Sequence, residues 1–210
     1  MRWTTRIAVM ALAIASLLGI ASSTVGATTW HNSGDTAFTA TGGSGTLSST
    51  GFSLTFSSST TTGTTGPSPY VGGTWRALIG RFTATGARIT GAPVGFSCDL
   101  LLTATTWVAG PPSVALATND VTCSATIGPG ATVFCHIEGT TSGVYWNPSG
   151  TTNGRWHVNT TSVGLTATDP AARDATCPFG NGDRVTFTRQ TLNVTAGNVT
   201  GLGPVVTRTP

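Results

Sequence analysis

Apolar and polar residues alternate through most of this chain, and a two-residue period of this kind leaves strands as the main building element. Val94, Phe96, Cys98, Leu100, Leu102 and Ala104 share one parity. Val121, Cys123, Ala125 and Ile127 form a second series, Val133, Cys135 and Ile137 a third, and Phe52, Leu54 and Phe56 a fourth. Successive side chains of a strand point to opposite faces, so each series predicts one buried face and one polar face. Two stretches slip in phase. Val185 and Phe187 have one parity, Leu192 and Val194 the other, and Trp156 with Val158 precedes Val163 with Leu165 in the same way. A one-residue slip would turn the apolar set outward, so a bulge or break is expected in each.

Gly- and Pro-rich turns separate the runs at Gly42-Gly43, Gly66-Pro67, Gly72-Gly73, Gly110-Pro111-Pro112, Gly128-Pro129-Gly130, Asn147-Pro148 and Asn153-Gly154. Asp169-Pro170-Ala171-Ala172 carries a capping residue followed by Pro, the one hint of a helical turn. Ser57 to Ser68 is a Ser/Thr/Gly segment without an apolar face, and it reads as a mobile loop. Phe38-Thr39-Ala40-Thr41-Gly42 recurs as Phe82-Thr83-Ala84-Thr85-Gly86, and Gly51-Phe52-Ser53 matches Gly95-Phe96-Ser97 without a gap. A duplicated strand–turn–strand unit over about 30–53 and 75–97 would account for this.

Met1 to Arg6 is basic, Ile7 to Ile20 is almost wholly apolar, and Val25-Gly26-Ala27 offers small residues. That order is the order of a secretory signal, expected to end at residue 27, and its apolar run is short for a permanent span. Residues 28–210 then read as one secreted β domain. Cys98, Cys123, Cys135 and Cys177 are even in number, as two disulfides require in an exported chain. A symmetric turn at Pro129 would set Cys123 opposite Cys135 and leave Cys98 for Cys177. A two-residue Pro129-Gly130 turn would not, and the pairing stays open.

Only 8% of residues are charged, against roughly 25% in an average domain. Thr, Ser and Gly take their place, and Thr favours strands through its β-branched side chain. Beyond the signal, eight Arg face seven acidic residues and there is no Lys. The arginines are scattered, so nucleic acid is not an expected partner, nor is a membrane span expected in the mature chain.

Tyr145, Trp146, Arg155, Trp156 and His157 flank the turn 147–154. Aromatic faces beside Arg and Asn can stack on sugar rings, and exposed aromatics mark contact surfaces. Asp169, Asp174 and Asp183, with Asn181, supply loop oxygens of the kind Ca²⁺ takes, although turns use the same residues. His136 and Glu138 share one strand face and could serve as base and orienter, but no nucleophile motif accompanies them. No cofactor motif is present. Asn159, Asn193 and Asn198 each open an N-glycosylation pattern.

The Phe-Thr-Ala-Thr-Gly turn and the Thr/Ser-rich strand end from Leu54 to Thr60 resemble secreted Thr/Gly-rich proteins of high-GC Gram-positive bacteria. The resemblance covers the first half of the mature chain and implies location and an all-β fold. Many short strands and almost no helix predict a disulfide-containing β-sandwich, Ig-like or jelly-roll-like, with a closed β-barrel as the alternative. The function expected is that of a non-catalytic extracellular or cell-surface protein contacting polysaccharide or cell wall. A hydrolase built on His136 and Glu138 is the alternative, and an envelope β-barrel pore a second.

Overall fold

The computed structural model describes residues 27–127, 132–159, 164–168 and 177–210. Residues 1–26 of the expected signal segment, the expected turn at Pro129, Val163, the helical hint at 169–172, Asp169 and Asp174 lie outside the described residues.

Of the two architectures expected, the chain takes the closed barrel. Eight antiparallel staves follow one another in chain order, and the last pairs with the first. Six strands build the first three staves: β2 (Ala37–Gly42) with β3 (Gly45–Ser49), β4 (Phe52–Phe56) with β5 (Ser58–Thr65), and β7 (Trp75–Thr85) with β8 (Arg88–Ile89). The fourth stave is β9 (Ala92–Pro93) with β10 (Gly95–Val108), the fifth β11 (Val114–Ile127) and the sixth β12 (Thr132–Trp146). The last two are β13 (Arg155–Asn159) with β14 (Leu165–Thr168), and β15 (Arg184–Phe187) with β16 (Gln190–Gly197). Within a bent stave the register carries across the bend: Gly42 faces Ser59 in β2–β5, and Gly45 faces Phe56 in β3–β4. The seam is β16 on β2 and β15 on β3. The phase slip between Phe187 and Leu192 falls where a stave bends, between β15 and β16.

Ser58–Thr65 is a barrel strand, not the mobile loop its composition suggests. Its inward positions are Ser59, Thr61 and Gly63, so the strand has no apolar face to detect. The reason is a polar layer inside the barrel: Ser59, Thr61, Asn119, Thr141 and Gln190 are all buried. Asn119 Oδ1 accepts a 2.9 Å hydrogen bond from Trp156 Nε1. The hydroxyls of Ser59, Thr61 and Thr141 have no partner among the described residues. Gly63 and Gly80 face each other across β5 and β7. A Cβ on Gly63 would stand 2.6 Å from Phe38 Cζ, and one on Gly80 3.0 Å from Trp156 Cζ3. The missing side chains make room for both rings.

Toward the hairpin tips the interior is apolar. Phe56, Phe82, Phe96 and Phe187 meet with centroids 5.5 to 6.4 Å apart, over Leu47, Leu54 and Ile137. The disulfides are Cys98–Cys123 and Cys135–Cys177. A bulge between Ala125 and Thr126 sets Cys135 opposite Ala125 and Cys123 opposite Ile137, so a Cys123–Cys135 bridge is not formed. Cys98 instead faces Cys123 directly across β10–β11. Closing loops with sequence separations of 25 and 42 stabilises the fold by roughly 3–4 kcal/mol each in the chain-entropy picture.

The two Phe-Thr-Ala-Thr-Gly runs lie in matching hairpins, β2/β3–β4/β5 and β7/β8–β9/β10. The tips are Thr50-Gly51 and Thr90-Gly91, and the latter pair has φ of 47° and 87°, as a tight two-residue hairpin turn requires. The second hairpin is four residues shorter between the run and the tip. Gly51 therefore corresponds to Gly91, not Gly95, and Phe56 to Phe96, whose rings stack at 6.4 Å.

At the other end a three-stranded sheet, β17 (Val206–Thr209), β1 (Thr29–Asn32) and β6 (Tyr70–Val71), forms a lid. Trp30 of β1 is buried against Trp75 of β7 at 6.2 Å. Hydrogen bonds hold the lid down. Tyr145 Oη donates to Pro204 O at 2.7 Å, and Asn147 exchanges two bonds with the Val206 backbone. Asp35 is fully buried and accepts from the amides of Val199, Thr200 and Gly203 and from the Thr200 hydroxyl.

Candidate binding face

Tyr145 and Trp146 are consecutive on β12, so one must point inward and the other outward. Tyr145 goes in. It is fully buried, and burial followed by the nearby charge of Asp35 holds its phenol neutral. Trp156 on β13 also points inward, under Asn119. Sequence reasoning placed both on a ligand-binding surface; they belong to the core because aromatic rings fill a barrel interior best. Trp146, Arg155 and His157 point outward, and the structure brings these three together.

Antiparallel register gathers further residues around them. One outward row runs Val108, Val114, Trp146, Arg155, Asn193 across five neighbouring strands. The next runs Thr106, Leu116, Val144, His157, Thr191. Val108 is 48% exposed, Leu116 42% and Trp146 36%. Side chains directly opposite on neighbouring strands touch, so these form one apolar strip ending at the indole, on a surface otherwise rich in Thr and Ser. Contiguous apolar surface on a charged-poor, hydroxyl-rich exterior marks a contact site.

The strip ends in cations. The Trp146 and His157 rings meet edge to face with centroids 6.3 Å apart. Arg189 Nη2 donates to His157 Nδ1 at 3.3 Å, and the Thr191 hydroxyl lies 3.1 Å from the same nitrogen. A guanidinium can only donate, so Nδ1 is the acceptor and the neutral ring carries its proton on Nε2. Burial, then the charges of Arg189 and Arg155, lower the His157 pKa below its ordinary value. Among the described residues the single ion pair is Arg81–Asp99, so Arg155 and Arg189 have no carboxylate partner there.

Sequence reasoning missed Arg189, Leu116 and the three valines, Val108, Val114 and Val144. Leu116 carried a usable signal: it is a large apolar residue at the polar phase of β11, between the inward Ala115 and Ala117. Arg189 sits at the bend between β15 and β16, where periodicity fails.

Elsewhere, His136 is half-buried and Glu138 exposed on the outward face of β12. His136 Nδ1 lies 3.2 Å from the hydroxyl of Ser124, directly across β11. β12 is paired on both sides here, so its amides are taken up by the sheet and offer no oxyanion donors. Asp183, from the calcium set, accepts hydrogen bonds from Gly180 N at 2.8 Å and Ser49 Oγ at 3.2 Å, which makes it a turn-closing residue. Among the described residues no group of three metal-ligating side chains occurs, and no helix is long and apolar enough to cross a membrane.

Comparison of the chain with protein-family models, with curated proteins and with solved structures finds no match.

Proposed function

We propose that this chain is a secreted, non-catalytic extracellular protein that contacts polysaccharide or cell-wall material through the outward face centred on Trp146. The observation that carries the reading is the exposed indole of Trp146 set between an apolar strip and Arg155 and His157. Aromatic faces stack on the apolar faces of sugar rings while neighbouring Arg and Asn bond hydroxyls. The basic, apolar, small-residue order of the first 27 residues and the two disulfides support export.

A pore would need an apolar outer band and an open lumen. Here the outward positions of β5 are Thr60, Thr62 and Thr64, and the interior is filled with Phe, Trp and Leu. The hydrolase reading has one observation in its favour, the Ser124–His136 contact, and an unchanged rate in His136→Ala for any hydrolysis detected would end it.

The test is retention of the secreted, oxidised protein on insoluble polysaccharides and wall preparations. Trp146→Ala should lose at least tenfold in retention, while Tyr70→Ala, an equally exposed aromatic on the lid, should bind as the parent does. Equal retention of both variants would overturn the assignment of the face.

A further inference from the structure

Two guanidiniums stand at one end of the Trp146 strip with no carboxylate paired to them among the described residues, and this points to the charge of the partner. Arg155 is next to Trp146 in register, and Arg189 touches His157, which touches Trp146. Both Arg side chains are exposed. The carboxylates of the adjoining strands lie well away. Asp120 is two outward positions beyond Leu116 on β11 and is engaged by the Thr140 hydroxyl at 3.0 Å. Glu138 is three outward positions beyond Val144 on β12. At about 6.8 Å for every two strand residues, these separations are roughly 13 and 20 Å, beyond the Debye length of ~8 Å at physiological salt. The Trp146 end of the face is therefore locally cationic although the mature chain is nearly neutral.

Resting on the polysaccharide reading above, we infer that the face selects glycans bearing an oxyanion, with the sugar ring stacked on Trp146 and the anion held between Arg155 and Arg189. Guanidinium forks suit carboxylate and phosphate alike. The neutral His157, with its Nδ1 occupied by Arg189 and Thr191, fixes the Arg189 side chain toward this end. Thr191 and Asn193 add uncharged hydrogen-bonding groups along β16 for sugar hydroxyls.

The experiment measures affinity of the secreted protein for polygalacturonate, a phosphorylated mannan and uncharged dextran, each at low and high salt. The parent should bind at least one anionic polymer about tenfold more tightly than dextran, with the difference shrinking as salt rises. The double variant Arg155→Gln/Arg189→Gln should lose about tenfold on that polymer, and Trp146→Ala at least as much. Arg81→Gln, which removes a cation already paired with Asp99, should change nothing. The polygalacturonate and mannan arms tell carboxylate from phosphate. Equal affinity for dextran that ignores the Arg pair would overturn the anion selectivity and leave the polysaccharide reading standing. Binding to none of the three would overturn both, and anionic binding that survives Trp146→Ala but falls with Arg81→Gln would overturn the placement.

Discussion

Toward its hairpin tips the barrel is filled by four phenylalanines and carries the disulfides; toward the lid it is filled by Trp and Tyr rings, of which Trp156, Trp75 and Tyr145 have their polar atoms tied to Asn119, Pro67 and Pro204. The first half gains stability from burial, which is non-directional and scales with apolar area. The second depends on directional bonds to a C-terminal segment that crosses the barrel end, with Asp35 and Asn147 as its main acceptors and donors. One half tolerates exchange among apolar residues; the other requires particular atoms. The proposed binding face lies on the half with the bonds, just outside Tyr145 and next to Asn147, so its shape is set by hydrogen-bond geometry more than by bulk packing.

Removing a ring from the packed half should have the largest effect. Phe82→Ala takes away contacts to Phe56, Phe96 and Phe187 together and should cost about 3–5 kcal/mol in denaturant unfolding. A cost below 1 kcal/mol would mean that the four rings do not form the core of that half.

Acid should act on the bonded half. The Asp35 carboxyl is pushed up by burial, but the bonds from Val199, Gly203 and Thr200 outweigh this and bring its pKa down to about 2, from 3.8. A carboxylate depressed in the folded state stabilises fully above its unfolded pKa, and that contribution disappears as pH falls through the folded value. Stability should therefore hold above pH ~4 and drop by about 2 kcal/mol between pH ~4 and ~2. Unfolding titrations of parent and Asp35→Asn would show it: a parent profile as flat as the variant's over that interval contradicts the assignment.

The smallest effect belongs to the polar layer between the halves. Thr61→Val replaces a buried hydroxyl that has no partner among the described residues and should be neutral or stabilising by up to about 1 kcal/mol. Destabilisation would show that the hydroxyl has a partner, such as an internal water, and that the polar layer belongs energetically with the bonded half.

This division also explains what the sequence disclosed. The packed half was legible because its inward residues, from Phe96 to Ala104 and from Val121 to Ala125, are apolar at every second position. β5 was not, since Ser59, Thr61 and Gly63 carry no hydropathy signal while facing inward. The lid was invisible for a related reason: Asp35 and Asn147 look like ordinary turn residues until residues 198–206 are brought to them. Of the face, Trp146, Arg155 and His157 were within reach of local reading. Which of Tyr145 and Trp146 faces out depends on the phase of β12, and Arg189 joins only through the pairing of β13 with β16.

The seam between the last stave and the first has a kinetic consequence. Every other pairing in the barrel joins staves adjacent in the chain, so hairpins can form locally and add one to the next. The β2–β16 contact instead closes a loop spanning most of the domain, and the β1–β17 pairing and the Asp35 bonds to 199–203 span a similar length. Edge protection, lid docking and burial of the carboxylate thus come in one late event. Until it occurs, the nascent sheet presents β2 and β16 as bare, Thr-rich edges, and few charges stand along them to discourage pairing between chains.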